Sequence, residues 1–483
     1  MKKERLTEEI LSVRKGRLFR YGRRPPDSNV QAQSVGVCRP LRGLGPISRV
    51  DSSMGTLPHA FVLGLGVTGL AVARSLGRAG VPVIGIWQRD DEKVGRLSRH
   101  CRTVRLPLDA DLLAALLRLA PPGEKPVLIA TSDAYAQWIG EHQDELRARF
   151  HFHTVAASLL TRMNSKDGLI GLLSGLGVYF PATIHVRTLQ QFERAAPGLR
   201  FPLLVKPADT FRRPLPGGAK NRVFQDLASL AAFVRGAPRN LPDMVMQEVI
   251  PSGDGRIWLC ALLLAAGGRT VATFTCRKVR QYLPDFGSTC FGSSERNEEV
   301  AAIASSVMER LGYQGTCMLE FAHDQRAGKY ALLEINVRAS LATQLYVDCG
   351  CDLPLAEYRL LSGGPLPPVG PQREGRQWIN LACDLGSWYR RRHALSLRAW
   401  LRSALSARSF AALSLDDPLP WVTATADMVA AAPRLAWRSL LRALFRQGAP
   451  LSASAGEEPL VEQAMAIDHG LPREGPGPRA GER

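Results

Sequence analysis

Acidic side chains interrupt two apolar β-type segments in the second half of the chain. The first, Gly315–Phe321, carries Glu320, and the second carries Glu334 followed at two-residue intervals by Asn336 and Arg338. Side chains two residues apart on a strand project from the same face of a sheet, so Glu334, Asn336 and Arg338 should share one face. If the two segments pair as a hairpin, Glu320 comes opposite them. The pattern predicts a β-sheet with a polar cluster on one face.

The cost of burying a carboxylate indicates what this cluster does. A buried acid is unfavourable unless it pairs with a cation or binds a metal. Mg²⁺ prefers oxygen ligands and completes its coordination with water and nucleotide phosphates. We therefore interpret Glu320, Glu334 and Asn336 as candidate ligands of Mg²⁺ or Mn²⁺ that would grip a triphosphate. The alternative is an ion pair between a glutamate and Arg338 that holds the edge of the sheet.

Composition limits the class of protein. The 483 residues are 45% hydrophobic and 22% charged, which excludes disordered, collagen-like and disulfide-scaffold classes. No apolar stretch approaches the roughly 20 residues of a membrane-spanning helix, and we find no secretory signal, so we expect a cytoplasmic protein. Nine cysteines without a C-x-x-C pair favour reduced thiols over a zinc site.

The formal net charge of +18 lies mostly near the two ends of the chain. Residues 1–50 contain 12 Lys and Arg against 4 Asp and Glu, and residues 384–450 contain 10 Arg against 4 Asp. The central part is therefore no basic platform, and we predict no nucleic-acid partner.

A basic amphipathic helix is predicted near the C-terminus. It docks against its own domain, makes a peripheral contact with an anionic membrane, or lies on a partner. Its apolar stripe consists of Trp437, Leu440, Leu441, Leu444 and Phe445, and its basic stripe of Arg438, Arg442 and Arg446.

Hydrophobic periodicity divides the chain into two structural types. A βαβαβ alternation in the first part is typical of a Rossmann-like parallel sheet covered by helices, and from about Met163 the pattern predicts a mixed α+β domain. In the first part we expect strands at Ala60–Leu65, Val81–Trp87 and Pro126–Ala130 and helices at Val67–Ala79 and Asp111–Ala120. In the second part we expect strands at Leu203–Lys206, Val245–Val249, Ile257–Leu264, Val271–Arg277, Gly315–Phe321 and Tyr330–Ile335 and helices at Leu227–Arg235 and Glu298–Leu311.

Two strand ends in the first part are candidate ligand sites. Gly64, Gly66 and Gly69 form a G-x-G-x-x-G turn between a strand and a helix, with Asp90 and Asp91 about 20 residues further on, as in a dinucleotide-binding fingerprint. The alternative is that these glycines only allow a tight turn. Likewise, residues 131–133 (Thr-Ser-Asp) either contact a ligand at the carboxyl edge of the sheet or cap the following helix.

Several landmarks occur in an order that resembles the ATP-grasp superfamily. They are residues 164–167 (Asn-Ser-Lys-Asp), 177–181 (Gly-Val-Tyr-Phe-Pro), 201–207 with Lys206, 247–254 with Gln247, and the Glu320 and Glu334-x-Asn336-x-Arg338 signature. The segments 247–254, 277–284 and 315–321 look most like the carboxylate–amine ligase branch, which includes D-aspartate ligase. The resemblance covers about residues 60–365.

The resemblance implies a role for each matching residue. Lys166 and Lys206 would contact nucleotide phosphates, as would Gly217, Gly218 and Lys220 in the following loop. This loop departs from the family pattern, because it carries Arg and Pro where many members have more glycine. Gln247, Glu248, Val249 and Ile250 would form the hinge that holds adenine and ribose, and Glu320, Glu334 and Asn336 would bind the metal ions. Arg338 would stabilise the acyl-phosphate oxyanion, and Lys278 would reach the γ-phosphate or the acceptor carboxylate. Arg256 and Arg280 either bind a substrate carboxylate or form surface ion pairs.

Composition, periodicity and the resemblance together predict the order of the domains; the resemblance covers only residues 60–365. We expect a disordered basic extension over residues 1–53, with Met54 as a candidate true start, and a Rossmann-like domain over 54–160. An ATP-grasp domain would follow over 161–365, then a mainly helical C-terminal region over 366–469 and a disordered tail over 470–483.

We predict a ligase that uses ATP and Mg²⁺ (or Mn²⁺) to join a small-molecule carboxylate to an amine, with amino acids as candidate substrates. Two alternatives stay open. One is an NAD-linked oxidoreductase built on the Gly64–Gly69 turn, and the other is a non-enzymatic protein that binds an anionic surface through its Arg-rich ends.

Overall fold

Three β-sheets form the framework of the chain. The computed structural model describes residues 57–207, 221–236, 244–251, 255–282, 287–368, 370–390 and 393–426. The predicted N-terminal extension and C-terminal tail, the predicted basic helix and the loop with Gly217, Gly218 and Lys220 lie outside these residues. None of the helices in these ranges combines the length and the hydropathy needed to cross a membrane.

The first sheet is parallel, as predicted. Its strands are β1 (Ala60–Leu63), β2 (Val83–Trp87), β3 (Arg102–Arg105) and β4 (Val127–Ala130), in the order β3-β2-β1-β4. The helices of this region are Val67–Arg78, Leu112–Leu119, Asp133–Glu141 and Gln143–Leu146. The sequence analysis did not predict β3, because this edge strand buries none of its four residues and so produces no apolar pattern.

The second sheet is small and antiparallel. Its strands are β5 (Thr183–Val186), β6 (Leu203–Pro207), β7 (Arg222–Phe224) and β8 (Met244–Glu248), in the order β5-β8-β6-β7. Leu203, Val205 and Met246 pack in one core with residues of the helices Leu189–Ala195 and Leu227–Gly236. Because side chains alternate along a strand, Lys206 and its neighbour Gln247 project from the opposite face.

The third sheet has seven strands in the order β13-β12-β9-β10-β11-β14-β15. They are β9 (Ile257–Leu264), β10 (Thr270–Tyr282), β11 (Ser288–Ser294), β12 (Gly315–Asp324), β13 (Lys329–Asn336), β14 (Gln377–Ile379) and β15 (Ser409–Phe410). One face packs in a core with the helices Ala157–Asn164, Lys166–Leu176 and Glu298–Arg310. The other face packs in a core with the helices Val67–Arg78, Thr343–Asp348 and Leu353–Ser362. Apolar side chains cover both faces, which explains the long hydrophobic runs in β9 and β12.

The described part of the region after residue 366 contains two helices and also extends the third sheet. The helices are Leu381–Arg390 and Leu397–Ser406, while β14 and β15 have only three and two residues. Strands this short leave no alternating pattern in a sequence, so periodicity could not find them. The domain limits given by the sequence stay predictions.

A buried ion pair joins this C-terminal region to the parallel sheet. Arg74 is fully buried on the helix Val67–Arg78, and its Nε donates to Asp417 Oδ2 at 2.9 Å. Asp417 also accepts hydrogen bonds from the Ser98 hydroxyl at 2.7 Å and the Arg99 amide at 2.9 Å. The neighbouring Asp416 pairs with Arg78 at 2.8 Å, but both side chains of that pair are partly exposed.

Replacing Asp417 should destabilise the protein strongly. Asp417→Ala would leave the Arg74 guanidinium buried without its counter-ion, which costs about 3–5 kcal/mol. Asp416→Ala is the matched control, since loss of a partly exposed pair costs about 1 kcal/mol or less. Urea unfolding followed by circular dichroism measures both. Equal midpoints for the two variants would contradict the assignment of the buried pair as a structural anchor.

Candidate active site

The carboxylates of the predicted metal site lie together on the β12–β13 hairpin. Glu320 pairs directly with Glu334, and Asn336 follows two residues later opposite Met318. The three oxygen-bearing side chains therefore share one face of the sheet. A register shift immediately after Glu320, between Glu320 and Phe321, adds one residue to β13. Such bulges re-aim side chains and are frequent beside active sites.

Lys278 contacts the carboxylate of Glu320 directly. The lysine is only 2% exposed on β10, and its Nζ donates to Glu320 Oε2 at 2.8 Å and to the Gly287 carbonyl at 3.3 Å. β9 lies between the two strands, so the ion pair spans it from one neighbour to the other. The sequence analysis placed Lys278 near the γ-phosphate or the acceptor carboxylate and did not predict this pairing.

Lys206, one of the two predicted phosphate-binding lysines, lies within electrostatic range of the same carboxylates and of Lys166, the other. Lys206 Nζ donates to Gln247 Oε1 at 3.2 Å. Loss of hydration, together with the charge of Lys166, lowers the pKa of Lys206 to about 8, while the charges of Glu334 and Glu320 oppose that shift. The Lys206 side chain of the second sheet is therefore within electrostatic range of the carboxylates of the third sheet.

The predicted hinge is held by contacts within the chain. The Gln247 amide donates to Thr183 Oγ1 at 3.1 Å, and the Val249 N–H donates to the Pro202 carbonyl at 2.9 Å. The Glu248 carboxylate accepts from the Arg200 N–H at 2.9 Å, and Glu248 projects from the other face of β8 than Gln247. Ile250 is buried and packs with Ala322 and Ala331 of the hairpin. These contacts join the end of β8 to the strands that carry the carboxylates.

Arg338 connects the carboxylate cluster with the parallel sheet. It is 5% exposed; its Nε donates to Asp133 Oδ2 at 3.0 Å, and its Nη2 lies 3.4 Å from Asn336 Oδ1. Asp133 opens the helix that follows β4. The sequence analysis considered the 131–133 turn as a ligand site and missed this pairing, because nothing in a local pattern joins residues 205 positions apart.

The rest of the 131–133 turn has a structural role. The Ser132 hydroxyl caps the helix by accepting from the Tyr135 N–H at 3.3 Å, which is the predicted alternative. The Thr131 hydroxyl donates to the carbonyl oxygens of Leu63 at 2.7 Å and Gly64 at 2.9 Å.

Local packing accounts for the glycines of the Gly64–Gly69 turn. Gly64 has a φ of +87°, in the left-handed region that favours glycine. A Cβ atom on Gly69 would lie 1.9 Å from the Gly64 carbonyl oxygen, so no larger residue fits there. Asp91 pairs with Arg89 at 3.2 Å. The turn therefore needs these glycines whether or not a dinucleotide binds.

Arg256 and Arg280, the two arginines considered as ligands of a substrate carboxylate, have different surroundings. Arg280 forms a two-point ion pair with Asp384, at 2.8 and 2.7 Å, and its guanidinium lies 4.0 Å from the centre of the Phe291 ring. This pair is buried, so it is not a surface ion pair. The Arg280 guanidinium is already occupied by Asp384 and does not bind a substrate carboxylate. The exposed Arg256 donates to Gln325 at 2.9 Å.

The donor set fits magnesium better than a softer metal. The part of the chain that the structure describes contains no group of three His, Cys, Asp or Glu residues able to hold a metal ion. The candidate site instead offers two carboxylates and one amide oxygen. Mg²⁺ is commonly bound by one or two carboxylates together with water and substrate phosphates, so Glu320, Glu334 and Asn336 form a suitable set.

Comparisons with known proteins find similarity over the part of the chain that contains the carboxylate hairpin. Residues 288–368, which include Glu320, Glu334, Asn336 and Arg338, match the family described as the carbamoyl-phosphate synthase L chain, ATP binding domain. The chain is 23% identical over 309 residues to the D-aspartate ligase of Enterococcus faecium (strain Aus0004), covering 57% of this chain and 70% of that one.

Solved structures share the fold. N5-carboxyaminoimidazole ribonucleotide synthetase from Thermus thermophilus aligns with a TM-score of 0.51 and 18% identity, over 66% of this chain and 81% of that one. L-amino acid ligase from Bacillus licheniformis aligns with a TM-score of 0.50 and 14% identity, over 67% of this chain and 79% of that one. These similarities show that the chain has an ATP-grasp fold, with an ATP-grasp domain that includes residues 288–368, and they support the carboxylate–amine ligase branch.

Proposed function

We propose that the protein is an ATP- and Mg²⁺-dependent ligase that joins a carboxylate to an amine through an acyl phosphate and releases ADP and phosphate. One observation carries the proposal. Glu320, Glu334 and Asn336 share a face of the third sheet, and the charges of Glu320 and Glu334 act on Lys206 of the second sheet. Carboxylates for a metal and cations for phosphate in one site suit phosphoryl transfer from ATP.

The chemistry explains why both kinds of charge are needed. A carboxylate does not react with an amine in water, and bound ATP with Mg²⁺ supplies the phosphoryl group that activates it. That transfer brings several negative oxygens together, so catalysis depends on positioning and on fixed positive charge. The amine then attacks the acyl carbon, the carbon–oxygen bond to phosphate breaks, and the amine loses a proton.

The residues divide this work between them. Lys166 and Lys206 would bind phosphate oxygens, with Gln247 orienting Lys206 through their 3.2 Å hydrogen bond. Glu320, Glu334 and Asn336 would hold Mg²⁺, and Lys278 would fix the Glu320 carboxylate. Arg338, held by Asp133 beside Asn336, would stabilise the negative charge of the acyl phosphate.

An amino acid is the substrate that the relatives favour. One relative is named a D-aspartate ligase, and a structural neighbour is named an L-amino acid ligase. We therefore propose that at least one of the two substrates is an amino acid or a peptide-like molecule.

Glu334→Gln is the test of the proposed function. Amino-acid pairs are screened for phosphate release with ATP and Mg²⁺, and the active pair is then assayed with the variant. The substitution keeps the shape of the side chain but removes a charge that Mg²⁺ needs, so we expect at least about a hundredfold loss of phosphate release. Glu193→Gln, on an exposed helix of the second sheet, is the matched control and should keep full activity.

Thermal unfolding separates this reaction from the NAD-linked alternative. ATP with Mg²⁺ should raise the Tm, and NAD should not. A Tm raised by NAD alone, or full phosphate release by Glu334→Gln, would overturn the proposed function.

The pKa of Lys206 predicts how nucleotide affinity depends on pH. Because this pKa is lowered to about 8, the ammonium is progressively lost as the pH rises above 8. Only the charged form attracts phosphate, so the Kd for ATP with Mg²⁺ should rise between pH 7 and pH 9, by at most about tenfold per pH unit. Isothermal titration calorimetry measures it. Lys206→Arg stays charged over this range, and an identical rise in that variant would exclude Lys206 as the titrating group.

Asp133 is predicted to act through Arg338. Asp133→Asn removes the charge that orients the guanidinium, so we expect kcat for phosphate release to fall by about tenfold to a hundredfold with little change in the KM for ATP. Asp133→Glu should recover part of the loss. Asp109→Asn, an exposed control in the same region, should have no effect. A change in the KM for ATP without a change in kcat would contradict the positioning role.

A further inference from the structure

Two C-terminal helices expose regular rows of apolar side chains. On the helix Leu397–Ser406, Leu397, Leu401 and Leu405 lie four residues apart and are 51%, 43% and 76% exposed. On the helix Leu381–Arg390, the exposed Leu381 and Leu385 have the same spacing. Residues four apart share one face of a helix, so each helix has a continuous apolar stripe. We call the two stripes together the leucine surface.

The helices that carry the leucine surface are anchored by their other faces. Trp400 is buried, its Nε1 donates to Asp384 Oδ2 at 2.8 Å, and its ring lies 5.5 Å from that of Trp388. Asp384 in turn holds the two-point ion pair with Arg280 of β10. These contacts with the third sheet therefore fix the rotation of each helix about its own axis. In this orientation the leucines face outward.

Positive charge lies beside the leucine surface on the helix Leu397–Ser406. Between Asp384 and Asp416 the sequence contains six arginines and no acidic residue. Arg398 and Arg402 are exposed and each directly follows a leucine of the stripe, which places the basic row about 100° around the helix from the apolar row. Neither arginine forms an ion pair with another residue in the described ranges. Their charge is available to a partner.

We infer that the leucine surface binds the face of a membrane that contains anionic phospholipid. A helix with leucines on one side and arginines beside them lies in the plane of the bilayer surface, with its apolar row among the acyl chains and its basic row among the phosphates. Nucleic acid matches the arginines but offers no apolar surface for the leucines. A second copy of the chain would bring the arginines of both copies close together.

Vesicle co-sedimentation of the full chain tests the inference. We expect binding to vesicles of phosphatidylcholine with about one third phosphatidylglycerol, little binding to phosphatidylcholine alone, and weaker binding at high salt. Leu401→Ser combined with Leu405→Ser should weaken partitioning by at least about tenfold. Leu108→Ser, at an exposed leucine of the first sheet region, is the matched control and should bind as the unaltered chain does. Arg398→Glu combined with Arg402→Glu should also reduce binding, whereas lysine at both positions should retain it.

Three results would overturn the inference. The first is full binding by the double serine variant, which would assign any membrane contact to another segment. The second is a dimer, seen by light scattering, that the serine variant dissociates. The third is vesicle binding only after residues 451–483 are removed, which would indicate that the chain covers the leucine surface itself. Because the Tm of each serine variant and its response to ATP with Mg²⁺ are measured in parallel, a folding defect or a failure of the proposed ligase activity is distinguished from loss of membrane binding.

Discussion

The candidate site depends on the antiparallel register of β12 and β13. This register brings Glu320 opposite Glu334 and leaves Asn336 on the same face. A slip by one residue would turn one strand's carboxylate to the other side of the sheet. Packing opposes such a slip, because Leu319, Phe321 and Ile335 fill the core on one face while Met318 belongs to the core on the other. The hydrophobic cores on the two sides of the sheet thus determine where the charged groups meet.

Opposite charges in the site stabilise one another. Lys278 pairs with Glu320, and the carboxylates of Glu320 and Glu334 partly offset the loss of hydration at Lys206. Separate burial of each charge would be costly, whereas a mixed cluster lowers that cost. The cluster also has donors and acceptors suited to both partners of an ATP–Mg²⁺ complex, because the carboxylates suit the metal and the lysines suit the phosphates. The contacts that arrange these charged side chains for a ligand therefore also stabilise the folded protein.

The region of the parallel sheet holds residues of the other regions in place. Asp133, on the helix that follows β4, holds Arg338 beside Asn336, and the buried Arg74 of the helix Val67–Arg78 holds Asp417 of the C-terminal region. Close contact between Gly64 and Gly69 accounts for the glycine pattern that resembled a cofactor fingerprint. A G-x-G-x-x-G turn between strand and helix thus has a steric cause here, and the sequence motif alone does not distinguish this cause from ligand binding.

The sequence by itself determined the main strands and helices and which polar side chains share a face of one strand. Apolar periodicity placed β9 within the same bounds as the structure and indicated the parallel sheet, because buried strands and helices repeat with periods set by backbone geometry. The two-residue period also placed Glu334 and Asn336 on one face. Only the tertiary structure decided which distant groups meet. The pairs Lys278–Glu320, Arg338–Asp133 and Arg280–Asp384 join residues 42, 205 and 104 positions apart, and the short strands β14 and β15 form only by adding to an existing sheet. Such contacts depend on how whole elements pack, and a local pattern of residues contains no record of that packing.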